Sequence, residues 1–197
     1  MATERPAPRV VVFAGPNGAG KSTHADAILA ELHIFTFVNA DFIARGLAGQ
    51  QPQTVALAAG RIMLNRLREL SQARADFAFE STPSKLELSS VPAAAQSARL
   101  PCRYLLLCPK QQWACPAPCQ TPRGSRWPRC ASRCGQAQIR AKCLHNFFQL
   151  YAGVADEWMV FDNSSGHTAQ TVAHQASGQQ TIKDEALWRK LQTMARN

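Results

Sequence analysis

Nine consecutive residues carry the plainest chemistry in this chain: Gly15-Pro16-Asn17-Gly18-Ala19-Gly20-Lys21-Ser22-Thr23. They match G-x-x-x-x-G-K-[ST], and they stand between an apolar β-branched run, Val10 to Ala14, and a helically spaced segment, Ser22 to Leu32. In that context the pattern is a phosphate cradle. Glycines let successive backbone N–H groups converge on one anion without a side chain in the way, and the helix that follows aims its positive end at the same place. Lys21 is positioned to reach the β- and γ-phosphates of a nucleotide, and the Ser22 hydroxyl to ligate Mg²⁺. The alternative is a Gly-rich turn that binds nothing.

Two carboxylates fall where a phosphate-transfer site would use them. Val38-Asn39-Ala40-Asp41 places Asp41 at the end of a second expected strand, where a general base could take the proton of an acceptor hydroxyl. Asp41 could equally be the N-cap of a helix beginning near Phe42. Glu80 ends a third expected strand and is followed by Ser81 and Thr82. Parallel strands present their C-terminal ends to one crevice, so Glu80 could polarise a cation-bound water or hold an acceptor, with Thr82 as a polar substrate contact. A solvated strand end is the plainer reading of Glu80. His24 reads as a surface or packing residue, and Arg45 and Arg61 are candidates for phosphate or substrate contacts.

The elements that must position these groups alternate. Strands are expected at Val10–Ala14, Ile34–Val38, Asp76–Glu80, Tyr104–Leu107 and Glu157–Phe161, with helices at Ser22–Leu32, Thr54–Ala73, Lys85–Ala98, Leu144–Val154 and Lys183–Ala195. The long helix is read with Leu57, Ile62, Leu64, Leu67 and Leu70 on its apolar side, and Gly166 to Gln180 as polar loop. Trp158 and Phe161 are expected in the core, Asp162 as a strand-end turn residue, and Asn163 near an adenine edge. Alternating strands and helices argue an α/β fold of the P-loop NTPase kind, a parallel β-sheet flanked by α-helices. The 197 residues suit one domain, 1–197. With 46% hydrophobic and 18% charged residues the composition is globular. No apolar run is long enough to span a bilayer and no signal-peptide pattern precedes Val10, so the expected setting is cytoplasmic, without a membrane partner.

Among nucleotide-binding classes, the same loop wording occurs in ABC-type ATPases, but the L-S-G-G-Q-like segment they need is missing. A GTPase would carry N-K-x-D, also missing. A small-molecule kinase needs a carboxylate at the end of the second strand, and Asp41 supplies one. An ABC-like or switch ATPase acting on a macromolecular partner stands as the alternative.

Beyond chemistry by residue type, several strings together resemble the zeta-toxin family of P-loop kinases. They are Val38-Asn39-Ala40-Asp41, the stretch Ala59-Gly60-Arg61-Ile62-Met63-Leu64, Phe77-Ala78-Phe79-Glu80-Ser81-Thr82, and Asn146-Phe147-Phe148-Gln149-Leu150-Tyr151 leading to Ala155 through Ser164. The resemblance spans Val10 to about Arg99 and Leu144 to Ser164. It implies a kinase that uses ATP and Mg²⁺ to phosphorylate the sugar 3′-hydroxyl of UDP-N-acetylglucosamine. On that pattern Asp41 is the general base, Lys21 the phosphate clamp, Glu80 and Thr82 line the substrate side, and an antitoxin protein joins the small-molecule substrate as a partner class. Many relatives with this loop wording are known only as predicted ATPases.

One segment, about 99–143, departs from that family. The net charge of +9 arises between Leu88 and Ala155, where no acidic residue occurs against nine Lys and Arg; the remainder holds thirteen of each sign. All seven cysteines lie between Cys102 and Cys143, with Pro109, Pro116, Pro118, Pro122 and Pro128 among them and Pro101 just before. The family's arginine-bearing lid, roughly G-G-H-x-V-P and then R-R-x-Y, is missing here. Cys115, Cys119, Cys130 and Cys134 could form a zinc tetrathiolate, a disulfide framework does not suit a cytoplasmic setting, and a basic arm with Trp113 and Trp127 could stack on nucleic acid. A locally confined charge argues against nucleic acid as the main partner. The favoured reading is translation out of the ancestral frame: shifted by one base, the codons for Trp127-Pro128-Arg129-Cys130 permit Gly-His-Ala-Val, and those for Gln136 to Ile139 permit a basic run ending in Tyr. Arg126, Arg129, Arg133 and Arg140 would then not be the family's lid arginines, and the segment is expected to pack poorly.

Overall fold

The computed structural model describes residues 8–49, 51–82, 101–109, 138–164 and 168–196. The expected helix at Lys85–Ala98, the four zinc-candidate cysteines and most of the basic segment lie outside them.

β1 (Val10–Ala14) is buried at every position, as its β-branched composition demands, and stands in the middle of the sheet. It pairs in parallel with β3 (Phe77–Ser81) on one side and with β4 (Cys102–Pro109) on the other. β2 (Phe37–Val38) flanks β3, and β5 (Glu157–Asn163) flanks β4, both parallel. Alternate residues of β1 feed two cores. Val10, Val12 and Ala14 face α3 (Ala56–Gln72), the helix over 138–146 (α4) and α5 (Glu185–Arg196); Val11 and Phe13 face α1 (Lys21–Leu32). α4 runs on into a π-helical turn at Phe147–Tyr151. α2 (Ala40–Ala48) follows β2, and a 3₁₀ turn, Pro52–Val55, leads into α3.

The sheet has seven strands, in the order β2-β3-β1-β4-β5-β6-β7, and it is mixed rather than purely parallel. The polar stretch expected as loop forms an antiparallel hairpin, β6 (Gln170–Ala176) and β7 (Gln179–Ile182). Its two-residue turn, Ser177 and Gly178, has φ values of 51° and 76°, the left-handed pair that matches strand twist. Val172 and Ala173 of the hairpin are buried in the core and Ile182 packs against it, a small apolar share for eleven strand residues held by backbone pairing.

One further expectation is corrected. On α3 the buried face is Ala59, Met63, Leu67 and Leu70, while Leu57 and Ile62 are exposed; residues 59, 63, 67 and 70 keep helical spacing and 57 and 62 fall off that stripe. The ends of the anomalous segment pack well: Tyr104 to Leu107 lie in the sheet centre, and Cys102, Cys108 and Cys143 are buried with free thiols. Tyr104 stacks on Tyr151 at 5.0 Å, Phe147 meets Trp158 edge-on at 5.5 Å, and Trp158 stacks on Trp188 at 5.6 Å. Those rings join β4, β5, the π-helical turn and α5. Trp158 is thus core as expected, and Phe161 packs beside the second core half-buried.

Trp158→Ala should cost about 3–5 kcal/mol of unfolding free energy in urea; a loss under 1 kcal/mol would show that this ring ladder does not hold the sheet. Burial pushes the Cys102 and Cys143 thiols up to about 12. The thiolate is the reactive form and is scarce far below that pKa, so at pH 8 both should resist a disulfide reagent in the native protein and react fully once unfolded, as read by peptide mapping.

Candidate active site

The phosphate loop links β1 to α1 and is braced on three sides. Gly15 N donates to the Ser81 carbonyl at 3.3 Å, and a Cβ at Gly15 would collide with the Leu107 carbonyl oxygen. Gly20 caps α1 with φ 85°, a conformation that glycine takes without strain; a Cβ there would strike the Asn163 amide. Asn163 Nδ2 donates to the Ala19 carbonyl at 3.0 Å. The loop therefore leans across the end of β4 to the end of β5.

Behind the loop sits Glu80. Its carboxylate accepts from Ser22 Oγ at 2.7 Å and Asn39 Nδ2 at 2.9 Å, and lies 3.3 Å from Lys21 Nζ. Lys21 is 4% exposed and Glu80 13%, and Lys21 Nζ also donates to the Pro16 carbonyl at 3.1 Å. Glu80 is not a solvated strand end: strand pairing of Phe13 with Glu80 sets it beside the loop. Thr82 Oγ1 donates to Asn17 Oδ1 at 3.2 Å, so the residue after β3 also touches the loop.

Asn39, buried at the end of β2, connects the two carboxylates. Its Nδ2 holds Glu80, and its Oδ1 accepts from the backbone N–H of Asp41 at 2.7 Å and of Phe42 at 3.3 Å. Asn39 is thus the N-cap of α2, and Asp41 is not. Asp41 stands exposed in the first helical turn, and its carboxylate has no hydrogen-bond or ion-pair partner among the described residues. Residue types alone hid the roles of Asn39 and Asn163; an Asn two residues before an acidic first turn was the one available signal for the former. Asp162 accepts from the N–H of Ser164 at 2.9 Å, the strand-end turn expected of it. Arg45 and Arg61 are exposed on α2 and α3. His24 is half-buried on α1. Arg140, on α4, lines a small pocket with Pro16, Leu107, Cys108 and Cys143, so one basic residue of the anomalous segment reaches the rear of the loop.

A hydroxyl and a carboxylate 2.7 Å apart form a hard oxygen donor pair of the kind Mg²⁺ takes when phosphate oxygens and water complete its shell. Among the described residues no group of three or more His, Cys, Asp or Glu could hold a metal alone. Ser22 and Glu80 therefore fit a cation that arrives with a nucleotide.

No family model and no curated protein sequence matches the chain. Solved structures do. One, from the structural characterisation of the PezAT chromosomal toxin-antitoxin system of Streptococcus pneumoniae, aligns over 98% of this chain and 87% of its own, at 10% identity and a TM-score of 0.59. A chain of the AvrRxo1-ORF1:AvrRxo1-ORF2 complex with sulphate ions aligns over 93% of this chain at 16% identity and a TM-score of 0.63. The complex with ATP gives 15% identity and the same TM-score. This chain spans 63% of the length of those latter two. At such identities the likeness establishes the fold, an α/β P-loop NTPase with helices on both faces of a mostly parallel sheet.

Because Glu80 neutralises a buried ammonium, removing either partner should have unequal effects. Without nucleotide, Glu80→Ala should destabilise by about 3–5 kcal/mol, since Lys21 would be left buried and unpaired. Lys21→Met should cost less, because Ser22 and Asn39 still satisfy Glu80. Denaturant unfolding of both variants decides the order, and equal losses would mean the ion pair is not the central contact.

Proposed function

We propose that this chain is an ATP-dependent phosphotransferase that passes the γ-phosphate to a hydroxyl of a small molecule, with the 3′-hydroxyl of UDP-N-acetylglucosamine as the favoured acceptor. The observation that carries the reading is the Glu80 carboxylate held against both Lys21 and Ser22 of the phosphate loop. A loop built for anions has its lysine paired internally, ready to exchange a carboxylate for phosphate oxygens. The AvrRxo1 complex with ATP, a chain of the same fold, supports ATP as the nucleotide.

Each residue then has a defined task. Backbone N–H groups from Gly18 to Ser22 receive the β-phosphate at the positive end of α1. Lys21 leaves Glu80 and clamps the β- and γ-phosphates. Ser22 and Glu80 would hold Mg²⁺, directly or through water; when bound, the cation neutralises phosphate charge and aligns the transferred group. Asp41, exposed one helical position past Ala40, takes the acceptor hydroxyl's proton as the new O–P bond forms and the bond from the γ-phosphorus to the bridging oxygen breaks, releasing ADP. Thr82 and Glu80 face the acceptor. An antitoxin protein as partner is supported by the toxin-antitoxin setting of the PezAT structure. No helix among the described residues is long and apolar enough to cross a membrane.

The segment of about 99–143 is read as translated out of its ancestral frame, so the arginines that would neutralise charge on the transferring group are not those of the zeta-toxin family. Loss of such an arginine costs on the order of a thousandfold or more in rate. The chain as it stands should bind ATP yet transfer phosphate slowly.

The test is transfer of γ-labelled phosphate from ATP to UDP-N-acetylglucosamine by this chain and by a frame-restored version. Label should appear on the sugar far faster with the restored chain, and Asp41→Ala should lower its rate about 10²–10⁴-fold with ATP binding retained. Equal transfer by both chains would refute the frame reading. ATP hydrolysis with no label on any sugar acceptor would favour a switch ATPase instead.

A further inference from the structure

We infer that Asn163 is a positioning residue that holds the phosphate loop in its anion-receiving shape, a role that rests on the loop binding ATP as proposed. Asn163 is the last residue of β5, two strands away from β1, and 144 positions beyond its partner Ala19. Its Nδ2 donates to the Ala19 carbonyl at 3.0 Å. The peptide between Ala19 and Gly20 is planar and trans, so its C=O and N–H point in opposite directions. Drawing the Ala19 oxygen toward β5 therefore turns the Gly20 N–H away from β5, toward the other side of the loop.

Three features show that the contact is specified. Gly20 is the one loop residue against which the Asn163 amide lies so closely that any Cβ would displace it. The β5–β6 register shifts between Val160 and Phe161, with Val172 of β6 as the extra residue, and such a bulge increases the local twist of the ladder beside Asn163. Asp162 accepts from the N–H of Ser164 at 2.9 Å, fixing the chain on the far side of Asn163. The amide's orientation is also dictated by this bond. Nδ2 must face Ala19, which leaves Asn163 Oδ1 buried with no hydrogen-bond partner among the described residues. A buried unpaired acceptor is unfavourable, and the alternative rotamer would place oxygen against oxygen.

The experiment measures ATP affinity by calorimetry, and amide hydrogen exchange without nucleotide, on the full chain and its variants Asn163→Leu, Asn163→Asp and Asn163→Ser. Leu keeps the volume and removes the donor; Asp keeps the shape and sets an acceptor against the Ala19 oxygen. ATP affinity should fall at least tenfold in Asn163→Leu and further in Asn163→Asp, raising KM more than it lowers kcat. Exchange at Gly18 to Lys21 should accelerate while the amides of β1 stay protected. Asn163→Ser, the mildest change, serves if Asp prevents folding. Variants that bind ATP within twofold of wild type, with unchanged loop exchange, would overturn the role. If the wild-type chain binds no ATP, the nucleotide reading fails by itself, and loop exchange in the variants still decides whether Asn163 holds the loop.

Discussion

A buried carboxylate satisfied by three donors organises the candidate site. Glu80 draws Lys21, Ser22 and Asn39 to one point: the first two open α1 where the loop ends, and the third follows β2. An ammonium with 4% exposure is tolerable in such a place only with a counter-charge. Without Glu80 the loop's lysine would have to leave the interior, and Asn39 would lose one of its two tasks. Through Asn39 the same carboxylate is coupled to the cap of α2 and hence to the placement of Asp41. The site is one connected polar network in which the loop, the end of β2 and the first turn of α2 share a single anchor.

That network depends on strand order. β3 lies beside β1 and β2 beside β3, so three strand ends that are far apart in sequence open onto one edge of the sheet. On the other flank, β4 offers a carbonyl against which only glycine fits at position 15, and β5 sends Asn163 to the loop. The loop is therefore gripped from both sides. The aromatic ladder from Tyr104 through Tyr151, Phe147, Trp158 and Trp188 gives β4 and β5 the rigidity that this grip requires.

The departure of the 99–143 segment from the zeta-toxin pattern has limited structural reach. Its first strand is buried in the sheet centre, in register with β1 and β5. A central parallel strand asks only for a run of apolar residues of ordinary size, and Tyr104-Leu105-Leu106-Leu107-Cys108 meets that demand whatever its ancestry. Hydrophobic burial is permissive, so a central strand can form from a sequence that departs from a family's pattern.

The amino-acid sequence alone determined the phosphate loop, the strands β1, β3, β4 and β5, and the helices α1, α3 and α5, because each is written in local signals: a glycine pattern, a β-branched run, a 3.6-residue stripe. It also named Lys21, Ser22, Glu80 and Asp41. Tertiary structure decided what those signals could not carry. Leu57 and Ile62 look like core in a helix and face outward, because only the neighbour chosen by the sheet defines the buried stripe. The β6–β7 hairpin is held by backbone bonds to β5 and leaves little trace in side-chain hydropathy. Asn39 reads as an ordinary polar residue and Asn163 as one near an adenine edge, until folding brings their amides to Glu80 and Ala19, across 41 and 144 positions of chain. A hydrogen bond between distant residues has no periodicity, and so only the folded chain reveals it.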